Sequence, residues 1–310
     1  MIVAEQLTKY YGDRAAVTGI DFTIRDGEVV GLLGLNGAGK TTILKILSGL
    51  LLPTSGRVTV AGLSMAEQPE QARARIGFLP EQPPLYPEMT VNGYLQFVAH
   101  IKSFTGDIDA AITEATAAAD LSYVRDHVIA TLSNGFQRRV GIAQAIIHKP
   151  ALILLDEPTS GLDPVQVVQM RDLIRGLRGK NTIMLSSHNL HEIKEVCDRI
   201  LVIKDGQIAA EGTEAELGKR VTTATKLSVE VRAAAGAFRE AMAKAKNVAH
   251  FEINTEKDGV TTATVELAKD CREELAKTLV DAGFGLRRFE RIELELESIF
   301  LELTRKEVQS

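Results

Sequence analysis

One stretch of this chain leaves few folds open to it. "EVVGLLGLNGAGKTTILKILSGLL", Glu28 to Leu51, runs from a short apolar segment through a glycine-rich turn into residues whose apolar members recur at helical spacing. A short apolar run of this kind belongs to a strand buried on both faces, as in the centre of a parallel sheet. In the turn, Gly34, Gly37 and Gly39 let the backbone point its N–H groups inward. Lys40 and Thr41 follow at once, so the spacing is G-x-x-x-x-G-K-[ST], with a strand before it and a helix after it. Such a loop cradles phosphate oxygens. Lys40 supplies a point charge for the β- and γ-phosphates of a nucleotide, and the Thr41 hydroxyl can ligate the Mg2+ that bridges them. Asn36, Ala38 and Thr42 complete the nucleotide-binding stretch.

The rest of the first two thirds repeats the theme. "GRVTVAG" reads as a strand, and Leu85 to about His148 is mainly helical. "ALILLDEP" is a continuous apolar strand, followed by a helix from Pro164, strand "NTIMLSS", helix "HEIKEVC" and strand "RILVIKDG". Alternation of this sort predicts a parallel sheet with helices on both faces. Near Gly218 the character changes. "KLSVEVR" alternates strictly, "AGAFREAMAKA" reads as helix, and "AHFEIN" and "VTTATVEL" are strands joined through Asp258-Gly259. "CREELAKTLVDAG" is a helix ending at Gly283, then comes "GLRRFERIEL" and a last helix containing "LESIFLELT". The order is β-α-β-β-α-β with an added helix. The expected division is 1–218 and 219–310, with a helical subdomain at about 85–150.

Several residues carry chemistry beyond the glycine loop. Asp156 and Glu157 end an apolar strand as adjacent carboxylates. Asp156 would hold Mg2+ through water, and Glu157, on the other face, would polarise an attacking water. His188 closes the next strand, at the end where parallel sheets bind ligands. It can reach the γ-phosphate and orient the water. The other histidines read as structural or solvated. Tyr11, before a glycine, is either an adenine platform or a half-buried strand aromatic. "LSNGFQRRVGIAQA" opens with Ser133-Asn134-Gly135 before a helix, which is a second anion-binding turn.

Taken in order, "YGDRAAV", "GLNGAGKTT", "LPEQPPLYPEMTV", "LSNGFQRRVGIAQA", "LILLDEP", "SGLD" and "MLSSH" make residues 1–215 resemble the ATPase subunit of an ABC transporter. The tail resembles the small C-terminal domain of an exporter-type branch, that of gliding-motility and antibiotic-export ATPases. The resemblance implies an α/β fold: a P-loop ABC cassette with a RecA-like parallel core, an antiparallel β subdomain and a helical subdomain, followed by a small α+β ferredoxin-like domain. It implies ATP and Mg2+ as ligands, a second ATPase subunit as partner, and integral membrane permease subunits. Ser133, Asn134 and Gly135 would then close on the ATP held by the partner's P-loop, with Asp163 at the same interface. The segment from Leu79 to about Tyr94 would contact the permease. The chain departs from the broad family pattern at Asn134, where glycine is usual, and at Phe136, where glutamine is usual. The position of the Q-loop glutamine falls on Glu81, with Gln82 beside it. Either can face the nucleotide, and a carboxylate there could coordinate Mg2+.

Composition narrows the remaining classes. Of 310 residues, 25% are charged and the formal net charge is −5, so no nucleic-acid partner is expected. No apolar run approaches the roughly 20 residues of a membrane helix, and "MIVAEQLTKYY" lacks the form of a signal peptide. The expected place is the cytoplasm, peripheral on the inner face of the membrane through the permease. Cys197 and Cys271 have no metal spacing. An ABC ATPase without a membrane partner would be expected to carry two cassettes or long coiled-coil insertions, and this chain has neither. A P-loop kinase or GTPase leaves Ser133 and His188 unexplained.

Overall fold

The computed structural model describes residues 1–179, 181–221 and 225–291. The chain divides into two compact units, the first ending at Glu214 and the second beginning at Ala215. Among the described residues no helix is long and apolar enough to cross a membrane.

The first unit opens with a hairpin, β1 (Ile2–Tyr11) and β2 (Arg14–Ile24), and continues into β3 (Val29–Leu33) and α1 (Lys40–Leu47). Next come β4 (Ser55–Val60), β5 (Leu63–Ser64), α2 (Pro69–Arg73) and β6 (Ile76–Leu79). The helical stretch holds α3 (Val91–Ile101), α4 (Ile108–Ala118) and α5 (Asn134–Ile146), with two short 3-10 turns before α5. Then β7 (Leu152–Asp156), α6 (Pro164–Leu177), β8 (Thr182–Ser187), α7 (Leu190–Val196), β9 (Arg199–Lys204) and β10 (Gln207–Gly212) follow, and α8 (Glu214–Val221) comes next in the chain. The caps come from the sequence: the side chains of Thr90, Asp107 and Ser133 accept backbone N–H groups at the starts of α3, α4 and α5.

Two sheets organise this unit. One is antiparallel, in the order β2-β1-β4-β5; the other runs β10-β9-β3-β8-β7-β6. Within the second, neighbours from β9 to β6 are parallel and only β10 is antiparallel. Every residue of β3, β7 and β8 is buried: their apolar stretches suit central parallel strands, and β7 and β8 bury polar residues at their ends. One apolar core links both sheets through α1: Leu7, Ile24 and Val60 share it with Ile43, Leu47 and Leu154. Register sets the ends of the parallel strands level. Asp156 pairs with Ser186, and Leu33 with Ser187. The polar residues that end β7 and β8 therefore sit beside the loop that leaves β3.

The second unit contains β11 (Thr225–Arg232), α9 (Ala235–Lys244), β12 (Val248–Lys257), β13 (Val260–Leu267), α10 (Arg272–Asp281) and β14 (Gly285–Arg291). Its sheet is antiparallel in the order β12-β13-β11-β14, the ferredoxin-like arrangement. Alternation in β11 and β13 buries Leu227, Val229, Val231, Ala263, Val265 and Leu267 on one face. Phe238 and Met242 of α9 and Leu275 and Leu279 of α10 cover them. The expected last helix, "LESIFLELT", lies outside the described residues.

Candidate active site

The loop after β3 owes its shape to close approaches as much as to flexibility. Gly39 has φ +111°, and a Cβ there would stand 2.6 Å from the Ala16 carbonyl oxygen. Any side chain would push the loop off β2. Gly39 also serves as the N-cap of α1 with no side-chain cap, and the first turn of α1 carries no acidic residue. Its leading N–H groups are left for an anion. Lys40 lies buried under the loop, with Nζ donating to the carbonyls of Gly34 at 2.8 Å and Leu35 at 3.3 Å.

Opposite the loop stand the two carboxylates. Asp156 is fully buried. Its Oδ1 accepts from Ser186 Oγ at 2.7 Å and from Thr41 Oγ1 at 3.2 Å. Its Oδ2 is buried without a hydrogen-bond partner. A buried carboxylate oxygen left bare is costly unless a cation or water completes it. Thr41 and Asp156 thus form a hard-oxygen pair that suits Mg2+, a cation content with few protein ligands plus phosphates and waters. Glu157 has φ +47°, the left-handed region that a branched or long side chain seldom occupies. Its backbone N–H donates to Ser186 Oγ at 2.9 Å. The side chain bridges Lys40 Nζ at 3.3 Å and His188 Nδ1 at 2.9 Å, while the ring of His188 is half exposed. One carboxylate therefore faces the loop lysine and the histidine that closes β8. The geometry can hold a water between an acceptor and a phosphate.

Gly39, Lys40, Thr41, Glu157 and His188 line a cleft of about 600 Å3 that also takes in Asn36, Gly37, Thr42 and Ser160, while Asp156 and Ser186 are buried and outside the lining. Tyr11, the last residue of β1, is 49% exposed and lines the cleft, so a strand aromatic half covered by its own sheet also presents a face to the site. Lys9 Nζ lies 5.6 Å from its ring centroid. Glu81 lines the cleft, while Gln82 is exposed and is not part of the lining. Gly34 and Ala38 shape the loop from beneath: Ala38 is buried, and a Cβ on Gly34 would meet the Ile203 carbonyl oxygen at 2.7 Å.

The Ser133-Asn134-Gly135 turn, called the signature turn below, is elsewhere. Ser133 and Asn134 are exposed at the start of α5, and neither they nor Gly135 line the cleft. Ser133 Oγ accepts from Phe136 N at 3.4 Å. Gly135 is buried, and a Cβ there would press on Gln166 Cδ at 2.9 Å. Gln166 N in turn donates to Asp163 Oδ1 at 2.9 Å, so Asp163 caps α6 next to the signature turn of the same chain.

A model of the ABC transporter family matches residues 17–160. The chain is 32% identical over 314 residues to the linearmycin resistance ATP-binding protein of Bacillus subtilis (strain 168), covering 98% of each chain. The chain belongs to the ABC transporter ATP-binding family. It is also 31% identical to the bacitracin transport ATP-binding protein of Bacillus licheniformis, over 98% of this chain and 97% of that one. Among solved structures, a dimeric ATP-binding cassette in a post-hydrolysis state with ADP and Pi has a TM-score of 0.63 and 27% identity. It matches 69% of this chain and 98% of its own. As an ABC ATPase subunit, the chain hydrolyses ATP on the cassette just described.

Sequence reading missed four contributors to this ABC site. Arg14 and Ser160 line the cleft, and Ser186 holds both Asp156 and the Glu157 backbone. Arg138 donates to the carbonyls of Glu157 and Ser160. Burial lowers the Arg138 pKa, and the carboxylates of Glu81, Asp156 and Glu157 oppose that shift. All four stood inside quoted motifs, "YGDRAAV", "LSNGFQRRVGIAQA", "SGLD" and "MLSSH", but only the folded chain reveals what they meet.

Proposed function

We propose that the chain works as a head-to-tail homodimer beneath separate integral membrane permease subunits, held peripherally on the inner face of the cell membrane, and that the complex is an exporter. The reading is carried by one observation: the Ser133 turn is an exposed helix N-terminus outside its own chain's cleft. A turn of that kind suits the γ-phosphate of a nucleotide bound by a second chain. Lys40 and the glycine loop hold the β- and γ-phosphates, and Tyr11 carries the adenine. Thr41 and Asp156, with Glu81 at the cleft edge, would hold Mg2+, which when bound neutralises charge on the phosphates. Glu157 accepts the proton of the attacking water, and His188 orients it. Export is supported by one relative being named for linearmycin resistance and another for bacitracin transport. For the permease, Pro84, Tyr86, Tyr94, Phe97 and Ile101 line a groove of about 350 Å3 within and beside the segment Leu79–Tyr94.

Mixing two inactive chains tests the composite site. Ser133→Arg brings an oversized cation to the partner's phosphate, and Lys40→Ala loses its own nucleotide. Heterodimers of the two contain one site with both lesions and one intact site. Assembled with the permease, the mixture recovers ATPase activity that neither variant has alone. Cysteines at Ser133 and Gly37 should crosslink two chains only with ATP present. A crosslink formed within one chain rejects the head-to-tail arrangement.

A further inference from the structure

The signature turn and the catalytic carboxylate of one chain are joined by a side chain that belongs to neither. Arg138 lies just over one turn into α5, on the helix that Ser133 caps. Its Nη1 donates to the Glu157 carbonyl at 3.2 Å and its Nη2 to the Ser160 carbonyl at 2.9 Å. These two carbonyls bracket a tight turn, closed by Ser160 N donating to Glu157 O at 3.1 Å. The guanidinium thus grips both ends of the turn on which Glu157 stands. From the sheet side, Ser186 Oγ holds the Glu157 N–H at 2.9 Å. A residue at φ +47° stays there only while its surroundings hold it.

The fork matters. Arginine presents donors in a rigid plane that can serve two carbonyls at once, whereas lysine offers a point charge. The neighbouring Arg139 does something different. It is buried, pairs with Asp120 at 2.5 Å and donates to Gln169 at 2.7 Å, so it ties α5 to α6 and to the end of α4. Of these two adjacent arginines, only Arg138 reaches the catalytic turn. A helix moves as a unit over five residues, so a pull on its N-terminus arrives at Arg138 with little loss.

We infer that Arg138 is a positioning residue through which nucleotide docked on a chain's signature turn sets that chain's own Glu157, coupling the two ATP sites of a dimer. The inference rests on the proposed closure of Ser133 on the partner's nucleotide. Because the dimer is symmetric, the coupling runs both ways: each site turns over about tenfold faster when the other is occupied, and a lone intact site keeps a reduced rate.

The test uses the assembled transporter with Arg138→Met, Arg138→Lys and the parent. Arg138→Met is expected to bind ATP within about twofold of the parent and to lose turnover of the order of tenfold, the scale of lost charged-donor hydrogen bonds. Its Hill coefficient for ATP turnover falls to about one, and Arg138→Lys recovers part of the rate. A fold defect alone would lower affinity and rate together and leave the Hill coefficient of the surviving dimers unchanged; that result overturns the proposal. A thermal melt of each variant identifies misfolding, and the milder lysine variant then decides. The cysteine pair at Ser133 and Gly37, placed in the Arg138→Met background, separates the two readings. Crosslinking between chains with parental rate and cooperativity rejects the role of Arg138 and leaves the composite site standing. Crosslinking within one chain rejects both.

Discussion

The two units of this chain bury different things. At the carboxyl ends of its parallel strands the first unit encloses Lys40, Asp156 and Glu157, with Ser186 and Ser187 beside them. The second unit encloses Phe238, Met242 and the apolar face of its antiparallel sheet. Its one buried polar side chain among the described residues is Thr261, whose hydroxyl donates to the Ala233 carbonyl at 2.7 Å. Buried charges contribute little to stability, and often reduce it, because desolvation offsets their attraction. A fold retains them where chemistry needs them. The first unit is therefore built around a reaction, and the second around packing.

The sharpest way to break this contrast is to damage the packing. Phe238 is fully buried and meets Phe251 edge-on with ring centroids 6.3 Å apart. Phe238→Ala should destabilise the second unit by about 3–5 kcal/mol, seen as a lower unfolding temperature for that unit. ATP affinity should stay at the parental value. If nucleotide binding falls with it, the two units share more than the contrast allows.

Damage to the charges should behave the opposite way. Glu157→Gln is expected to keep ATP binding and to slow hydrolysis by about 10^2-fold, the low end for a general base. Melting should fall modestly, since Gln retains the shape and can still accept from Lys40, but leaves that buried ammonium without its counter-charge. Hydrolysis at the parental rate would take Glu157 out of the reaction. A large loss of stability would instead make it a structural anchor.

The last test concerns a partly buried histidine of the first unit that lies outside the reaction. His148 Nε2 sits 3.0 Å from the Ile76 carbonyl oxygen. Burial, and then the charge of Lys102, push its pKa down to about 4, against a weaker opposing pull from that carbonyl. The unfolded chain takes up a proton near pH 6.5, while the folded chain does not until about pH 4. Between these values the unfolded state binds more protons, so stability falls as pH drops through that window. His148→Gln should flatten the slope of urea midpoint against pH between 6.5 and 4. An unchanged slope would assign acid sensitivity to other groups.

Local spacing was enough to read the glycine loop, the paired carboxylates and the alternation of strands and helices that builds a parallel sheet. Each depends on residues a few positions apart, where backbone geometry follows from the residue types. The pair Glu81 and Gln82 was not readable in this way. Adjacent residues after a strand end point in different directions, and which one meets the cleft depends on how the loop leaves β6. Tyr11 was open for the same reason, since its exposure depends on where β1 ends relative to the loop.

The sequence by itself determined that a phosphate cradle stands between a buried strand and a helix, that two carboxylates end another strand, and that a second anion turn begins α5. Those are statements about neighbours in the chain. Which groups meet was decided by folding. Register puts Ser186 between Asp156 and the Glu157 backbone, and packing of α5 lays Arg138 across the turn after β7. Such contacts span 19 to 30 positions. Over that distance no propensity or spacing rule constrains a side chain, and only the shared burial of the elements brings its partner within reach.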